Sequence, residues 1–179
     1  MLSCVSAREL KLIDAPEMRE RLGQTADTLE RMEKWRGHVY NWVSIDTLDV
    51  LRPRYVSAVD SGNLAAALLL CAEACKGDPL AARLRALARA MDFSALYDPA
   101  RELFHIGADV ERGRLSASHY DLLASEARIL SYAALMLSPI SDGNLVPGVE
   151  SALEKGIPCV NVNDGLIANA PNFVGPKAI

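Results

Sequence analysis

The stretch GHVYNWVSIDTLDVLRPRYVSAVDSGNLAAALLL, residues 37–70, places a loop dense in polar and aromatic groups directly before a strongly apolar helical run. His38, Tyr40, Asn41, Trp42, Arg52, Arg54, Tyr55, Asp60 and Asn63 all fall within it. Side chains of this kind are costly to order unless they meet something polar, such as a sugar. Pro53 and the run Val39, Tyr40, Asn41, Trp42 read as extended chain or loop, and helix resumes at Ser61 or Gly62. Asp60 has two readings. It caps that helix, with Ser61 as the other capping candidate and Gly62 allowing a tight turn, or it faces a ligand. Tyr40, Trp42 and Tyr55 likewise either pack or offer stacking platforms for sugar rings.

Working outward, apolar residues at Met18, Leu22, Ala26, Leu29 and Met32 or Trp35 predict an amphipathic helix from Pro16 to Arg36, stopped by Gly37. On the other side, 63–76 and 80–91 read as two helices joined by Gly77, Asp78 and Pro79, a turn short enough for an antiparallel hairpin. Tyr97 to Leu115 suggests a short strand pair around a turn. Ser116 or Ser118 is then placed to cap a long helix from about His119 to Leu137.

On that last helix, at about 100° per residue, Leu122, Glu126, Ile129, Leu130, Ala133 and Leu137 share one arc. Glu126 stands near its middle, and the residues three and four positions away are Leu122, Leu123, Ile129 and Leu130, so its own helix offers no basic partner. Burial there would raise its pKa and suit a general acid; the alternative is a carboxylate satisfied by backbone amides or by an arginine of another helix. Asp121 lies on a different side, so a second catalytic carboxylate has to come from elsewhere, and Asp60 is the nearest candidate. From Ser138 onward the order of apolar segment, polar loop, helix near 145–155 and the segment IPCVNVND fits a βαβ-like unit.

The balance of 50% hydrophobic and 23% charged residues in 179 is that of a globular chain with a real core. A net charge of −4 without a basic block gives no footprint for nucleic acid or an anionic membrane. No export leader is evident, and the longest apolar runs, 64–72 and 129–137, fall short of the roughly 20 residues that span a bilayer. Cys4, Cys71, Cys75 and Cys159 form no CxxC pair and are expected to be reduced. His38, His105 and His119 are scattered, so no metal is expected. Neither GxGxxG nor GxxxxGK[ST] occurs, so no nucleotide or other cofactor is expected, and Ser57 and Ser61 lack the context of a nucleophile elbow.

GHVYNW, then PRYVSAVDSGNLAAALL, then MDFSALYDPARELFHIGADVERGRLSASHYDLLASEAR resembles the glucoamylase-like middle region of bacterial cyclic β-1,2-glucan synthases, over about residues 28–132. The resemblance implies a mainly α fold made of antiparallel helical hairpins of a partial α/α toroid, with a short β-hairpin. It implies glycosidase-type cleavage and transfer on β-1,2-glucan, with an oligosaccharide as partner. It implies a part of a large enzyme of the bacterial inner membrane; a chain without an evident export leader is itself expected in the cytoplasm, or alternatively at the cytoplasmic face of the inner membrane as part of that larger protein. By the same resemblance His38, Tyr40, Asn41, Trp42, Asn63, Tyr120 and Asp121 are substrate-binding candidates, and Asp60 and Glu126 are catalytic ones. Val43, Ser44 and Ile45 stand where the family has Tyr-Asp-Thr, and Ser116 where it has Asp, so a polar contact is missing at each place.

The tail, about 135–179, is similar to a segment of the periplasmic sugar-binding proteins of ABC transporters. That likeness marks Asp142, Asn163 and Asp164 as sugar-facing candidates. Two units are therefore expected: 1–134, a helical glucoamylase-like fragment, and 135–179, a βαβ-like piece of a sugar-binding lobe. The alternatives to a glucan-processing module are a small-sugar binding module built on the tail and a non-catalytic structural fragment.

Overall fold

The computed structural model describes residues 1–120 and 125–137, the side chains of Ser125 and Glu126 excepted. About half of the described chain is helical, with small antiparallel sheets, which makes the fold mainly α. The helices are α1 (Leu2–Glu9), α2 (Ala15–Arg31), α3 (Ala58–Ala74), α4 (Pro79–Arg89) and α5 (Ser125–Leu137). The strands are β1 (Lys34–Trp35), β2 (His38–Val39), β3 (Tyr55–Ser57), β4 (Tyr97–Asp98), β5 (Leu103–Phe104), β6 (Gly107–Asp109) and β7 (Arg114–Leu115). From residue 138 onward the expected βαβ-like tail, with its candidates Asp142, Asn163 and Asp164, lies outside the described residues, and residues 135–137, where that tail is expected to begin, are the end of α5.

α3 is the hub, packed by α1, α4 and α5 and by strands β3 and β6. Its sequence explains why: Ala58, Ser61, Gly62, Ala65 and Ala72 are small and buried, so neighbouring backbones come close. Gly62 is the extreme case. A Cβ there would stand 2.5 Å from the Cα of Leu130, so α5 rests directly on α3. Leu130 is fully buried by this contact, a gain of about 1.5–3 kcal/mol for a side chain of its size. Ala127, Ala133 and Ala134 are buried beside it, whereas Ile129, expected on the same apolar arc, is 44% exposed.

Several boundaries differ from those the sequence predicts. α2 ends at Arg31, because Met32 turns extended (ψ 141°) and the Lys34 ammonium donates to the carbonyls of Glu30 and Met32. Trp35 therefore belongs to a strand. Arg36 (φ 49°) and Gly37 (φ 83°) form a tight turn that pairs Trp35 with His38, so Gly37 makes a hairpin rather than stopping a helix. α3 begins at Ala58, three residues before the expected start, since the Ser57 hydroxyl accepts from the amide of Asp60 at 3.2 Å. Asp60 is thus inside the first turn and is not the cap.

The predicted α3–α4 hairpin is present, with Gly77 at φ 88° and Asp78 capping α4 through the amide of Leu80. The single predicted strand pair over 97–115 is two: β4 with β5, and β6 with both β3 and β7. His119 does not begin a helix. It bridges His105, because the amide of Tyr120 bonds Phe104 and the amide of Ile106 bonds Ser118. Since Ala58 also donates to Ile106, the approach to α5 and the start of α3 spring from one β-rich end.

Cys4, Cys71 and Cys75 are free thiols, and burial pushes the thiols of Cys71 and Cys75 up. Among the described residues no helix is long and apolar enough to cross a membrane.

Two expectations follow. Gly62→Ala inserts a methyl against the α5 backbone and lowers stability by about 1–3 kcal/mol in urea unfolding, with little change in helix content.

The second concerns His38, which is fully buried. Its Nε2–H donates to the Asp92 carbonyl at 3.0 Å, and its Nδ1 has no hydrogen-bond partner among the described residues. Burial holds its pKa below the ordinary 6.5. The folded state therefore refuses a proton that the unfolded chain accepts, so stability is level above pH 6.5 and falls as the pH drops from there toward the folded pKa. The slope approaches about 1.4 kcal/mol per pH unit, and His38→Gln removes it, as read from urea midpoints across that range.

Candidate functional site

The β1–β2 hairpin delivers residues 40–42 to the start of α3. The backbone amide of Asn41 donates to the carbonyl of Tyr55 at 2.9 Å, which sets this segment alongside β3. The Asn41 side chain then does two jobs. Its Oδ1 accepts from the amide of Ser57 at 2.8 Å, and its Nδ2 donates to Asp60 Oδ2 at 3.1 Å. One amide thereby fixes both the residue that caps α3 and an exposed carboxylate in its first turn.

Tyr55 stands beside it. Its ring lies over Gly107, where a Cβ would collide with the phenol oxygen and with the carbonyl of Val56. Burial, then the proximity of Tyr120 and Asp60, raises the pKa of the Tyr55 hydroxyl, which keeps it a proton-bearing donor. Tyr120 is partly buried, packed against the core and anchored through its amide to Phe104. Asn63 is exposed one turn after Asp60, and Trp42 is 52% exposed.

The structure brings Asn41 and Asp60 into contact and sets Tyr55 near Asp60 on one side and near Tyr120 on the other. His38 and Tyr40 turn inward instead. His38 packs edge-on against Phe93 with ring centroids 5.0 Å apart. Tyr40 is buried beneath Arg54, whose guanidinium sits 4.8 Å from the ring centroid, donates to the phenol oxygen at 3.2 Å and pairs with Glu33. Alternation explains the split: β2 and the residues after it point to opposite sides in turn, so only some members of the motif reach the surface. Asp121 lies outside the described residues. Glu126 is placed only by its backbone, one helical turn before Leu130.

Sequence reasoning missed Ser57, whose signal was its position three before Asp60, the spacing of a cap. It also read the histidines as too scattered along the chain to argue for a metal site, whereas the strand register brings two of them together. His105 and His119 face each other with centroids 4.3 Å apart, and His119 Nε2 lies 2.9 Å from Asp98 Oδ2. One ligand atom each from Asp98, His105 and His119 lies within 4.8 Å of the other two, so this is the cluster among the described residues able to hold a metal ion.

Over part of its length the chain is related to the cyclic glucan synthases. A stretch of 76 residues, 42% of the chain, is 46% identical to part of the cyclic β-(1,2)-glucan synthase NdvB of Rhizobium meliloti (strain 1021). The chain spans 3% of the length of that protein. No protein-family model matches the chain. The likeness of residues 135–179 to periplasmic sugar-binding proteins finds no support in these comparisons.

Ser57→Ala removes the cap and costs about 1 kcal/mol, whereas Asp60→Asn leaves the cap in place and costs less. Chemical unfolding of the two variants side by side checks the assignment.

Proposed function

We propose that this chain is part of a glucan-processing module acting on β-1,2-linked glucan, with α3, α4 and α5 as hairpin elements of an α/α toroid inside a larger inner-membrane enzyme. The observation that carries the reading is the exposed Asp60 carboxylate, held by Asn41 at the start of a buried helix, with Tyr55 close by and Tyr120 close to Tyr55. The name of the relative, a cyclic β-(1,2)-glucan synthase, supplies the substrate class.

In this reading Glu126 is the acid. It gives its proton to the glycosidic oxygen as the bond to the anomeric carbon breaks. Asp60 is the opposing carboxylate. Their separation sets its role: nucleophile at about 5–5.5 Å, base for an attacking water at about 6.5–9.5 Å. With Asp60 as nucleophile, a sugar hydroxyl in place of water completes transfer instead of hydrolysis. Asn41, Trp42, Asn63, Tyr120 and Asp121 form the sugar-facing wall, and Tyr55 donates its hydroxyl hydrogen to the sugar. Tyr40 and His38 support that wall from behind.

Incubation with linear β-1,2-glucan followed by mass-spectrometric sizing tests the reading. New chain lengths are expected, with the rate lowered about 10²- to 10⁴-fold in Glu126→Gln and strongly lowered in Asp60→Asn. An unaltered size distribution, or a rate insensitive to Glu126→Gln, removes the proposal.

A further inference from the structure

Asp98, His105 and His119 come from three extended segments laid side by side. β4 pairs with β5 so that Asp98 faces Leu103, and residues 118–120 run antiparallel to 104–106 on the other side. The histidines are therefore direct cross-strand partners with side chains on one face, which accounts for their ring separation. All three residues are partly buried; the side chain of His119 is 9% exposed.

The hydrogen bonds around the cluster prepare its ligand atoms. His105 Nδ1 lies 2.6 Å from the carbonyl of Ser116. A carbonyl only accepts, so Nδ1 carries the proton and Nε2 of the neutral ring is left with its lone pair free to coordinate. A backbone carbonyl orienting the far nitrogen of an imidazole is the usual support for a metal-binding histidine. Asp98 divides its oxygens: Oδ1 accepts from the amides of Ala100 at 3.0 Å and Arg101 at 3.3 Å, which locks the carboxylate, while Oδ2 points to His119. The guanidinium of Arg101, 67% exposed, comes no nearer to Oδ2 than 4.0 Å.

We propose that Asp98, His105 and His119 form a binding site for one borderline divalent transition ion, zinc foremost. Two imidazole nitrogens and one carboxylate oxygen suit zinc, which takes nitrogen and oxygen ligands at about 2.0–2.2 Å in a four-coordinate site completed by water. The ion takes the place of the His119–Asp98 hydrogen bond and ties the segment that leads into α5 to the β4–β5 hairpin. Its role is structural and does not depend on glucan turnover.

The test uses the full chain, stripped with a chelator and titrated with Co²⁺ as a spectroscopic stand-in and with Zn²⁺. One equivalent is expected to bind, giving visible d–d absorption. Zn²⁺ is expected to raise the thermal midpoint and to move the ring resonances of His105 and His119 while leaving buried His38 unmoved. His105→Ala, His119→Ala and Asp98→Asn each weaken binding at least tenfold. Asp98→Asn keeps Oδ1 as an acceptor for the Ala100 and Arg101 amides, so it remains informative if a histidine variant fails to fold. The absence of saturable binding, affinity unchanged in Asp98→Asn, or a thiolate charge-transfer band that places the ion on cysteine overturns the proposal.

Discussion

The contact on which the rest of this structure depends is the meeting of Gly62 with Leu130. Two helices touch at backbone distance only where one of them lacks a Cβ, and Gly62 supplies that gap. The contact lies two residues after Asp60 and one helical turn after Glu126. Packing thus fixes the relation between the two backbones that carry the proposed catalytic carboxylates. A close approach is stiff because small displacements meet hard repulsion, so the spacing of these positions is set by the core and not by a loop.

A second constraint orders the polar loop. A segment with so many donors and acceptors has to satisfy them internally or leave them in water. Asn41 resolves much of this by bridging a backbone amide and a carboxylate, and Arg54 does so by covering Tyr40 while pairing with Glu33. These bonds join residues 14 to 21 positions apart, so the wall of the site forms only once β3 is laid against both the hairpin and β6. The same β-rich end receives residues 118–120, so Tyr120 and the Asn41–Asp60 pair are tied to one set of strands.

What the sequence discloses and what it hides follow one physical division. The apolar period of α2, the Gly-Asp-Pro turn before α4 and the polar density of 38–63 are local properties, and each is legible in the order of residues. Asp60 and Asn41 could be singled out as site candidates from motif strings alone. The start of α3 at Ala58 could not, because Val56 and Val59 suit strand and helix alike and the decision falls to the bond between Ser57 and Asp60. The inward turn of His38 depends on Phe93, and the meeting of His105 with His119 depends on a strand register that no spacing encodes. His119 and Tyr120, expected in the long helix, are extended for the same reason: pairing of Tyr120 with Phe104 satisfies the backbone in that form.

The departures from the family motif acquire a location as well. Val43 bridges Val50, the amide of Ser44 donates to the carbonyl of Asp49, and Ile45 is 91% exposed. Residues 43–50 therefore close a small loop of their own, pinned at its base by the bond from the Leu51 amide to the Trp42 carbonyl. Ser116, the other departure, is held by backbone and hydroxyl bonds: its carbonyl receives His105, its amide donates to Gly107 and its hydroxyl accepts from Ser118. An Asp at that position would keep both backbone bonds and bring a negative charge close to His105. The serine leaves Asp98 as the carboxylate of that cluster, so the residue that breaks the motif at 116 is also one that defines the charge of the histidine site.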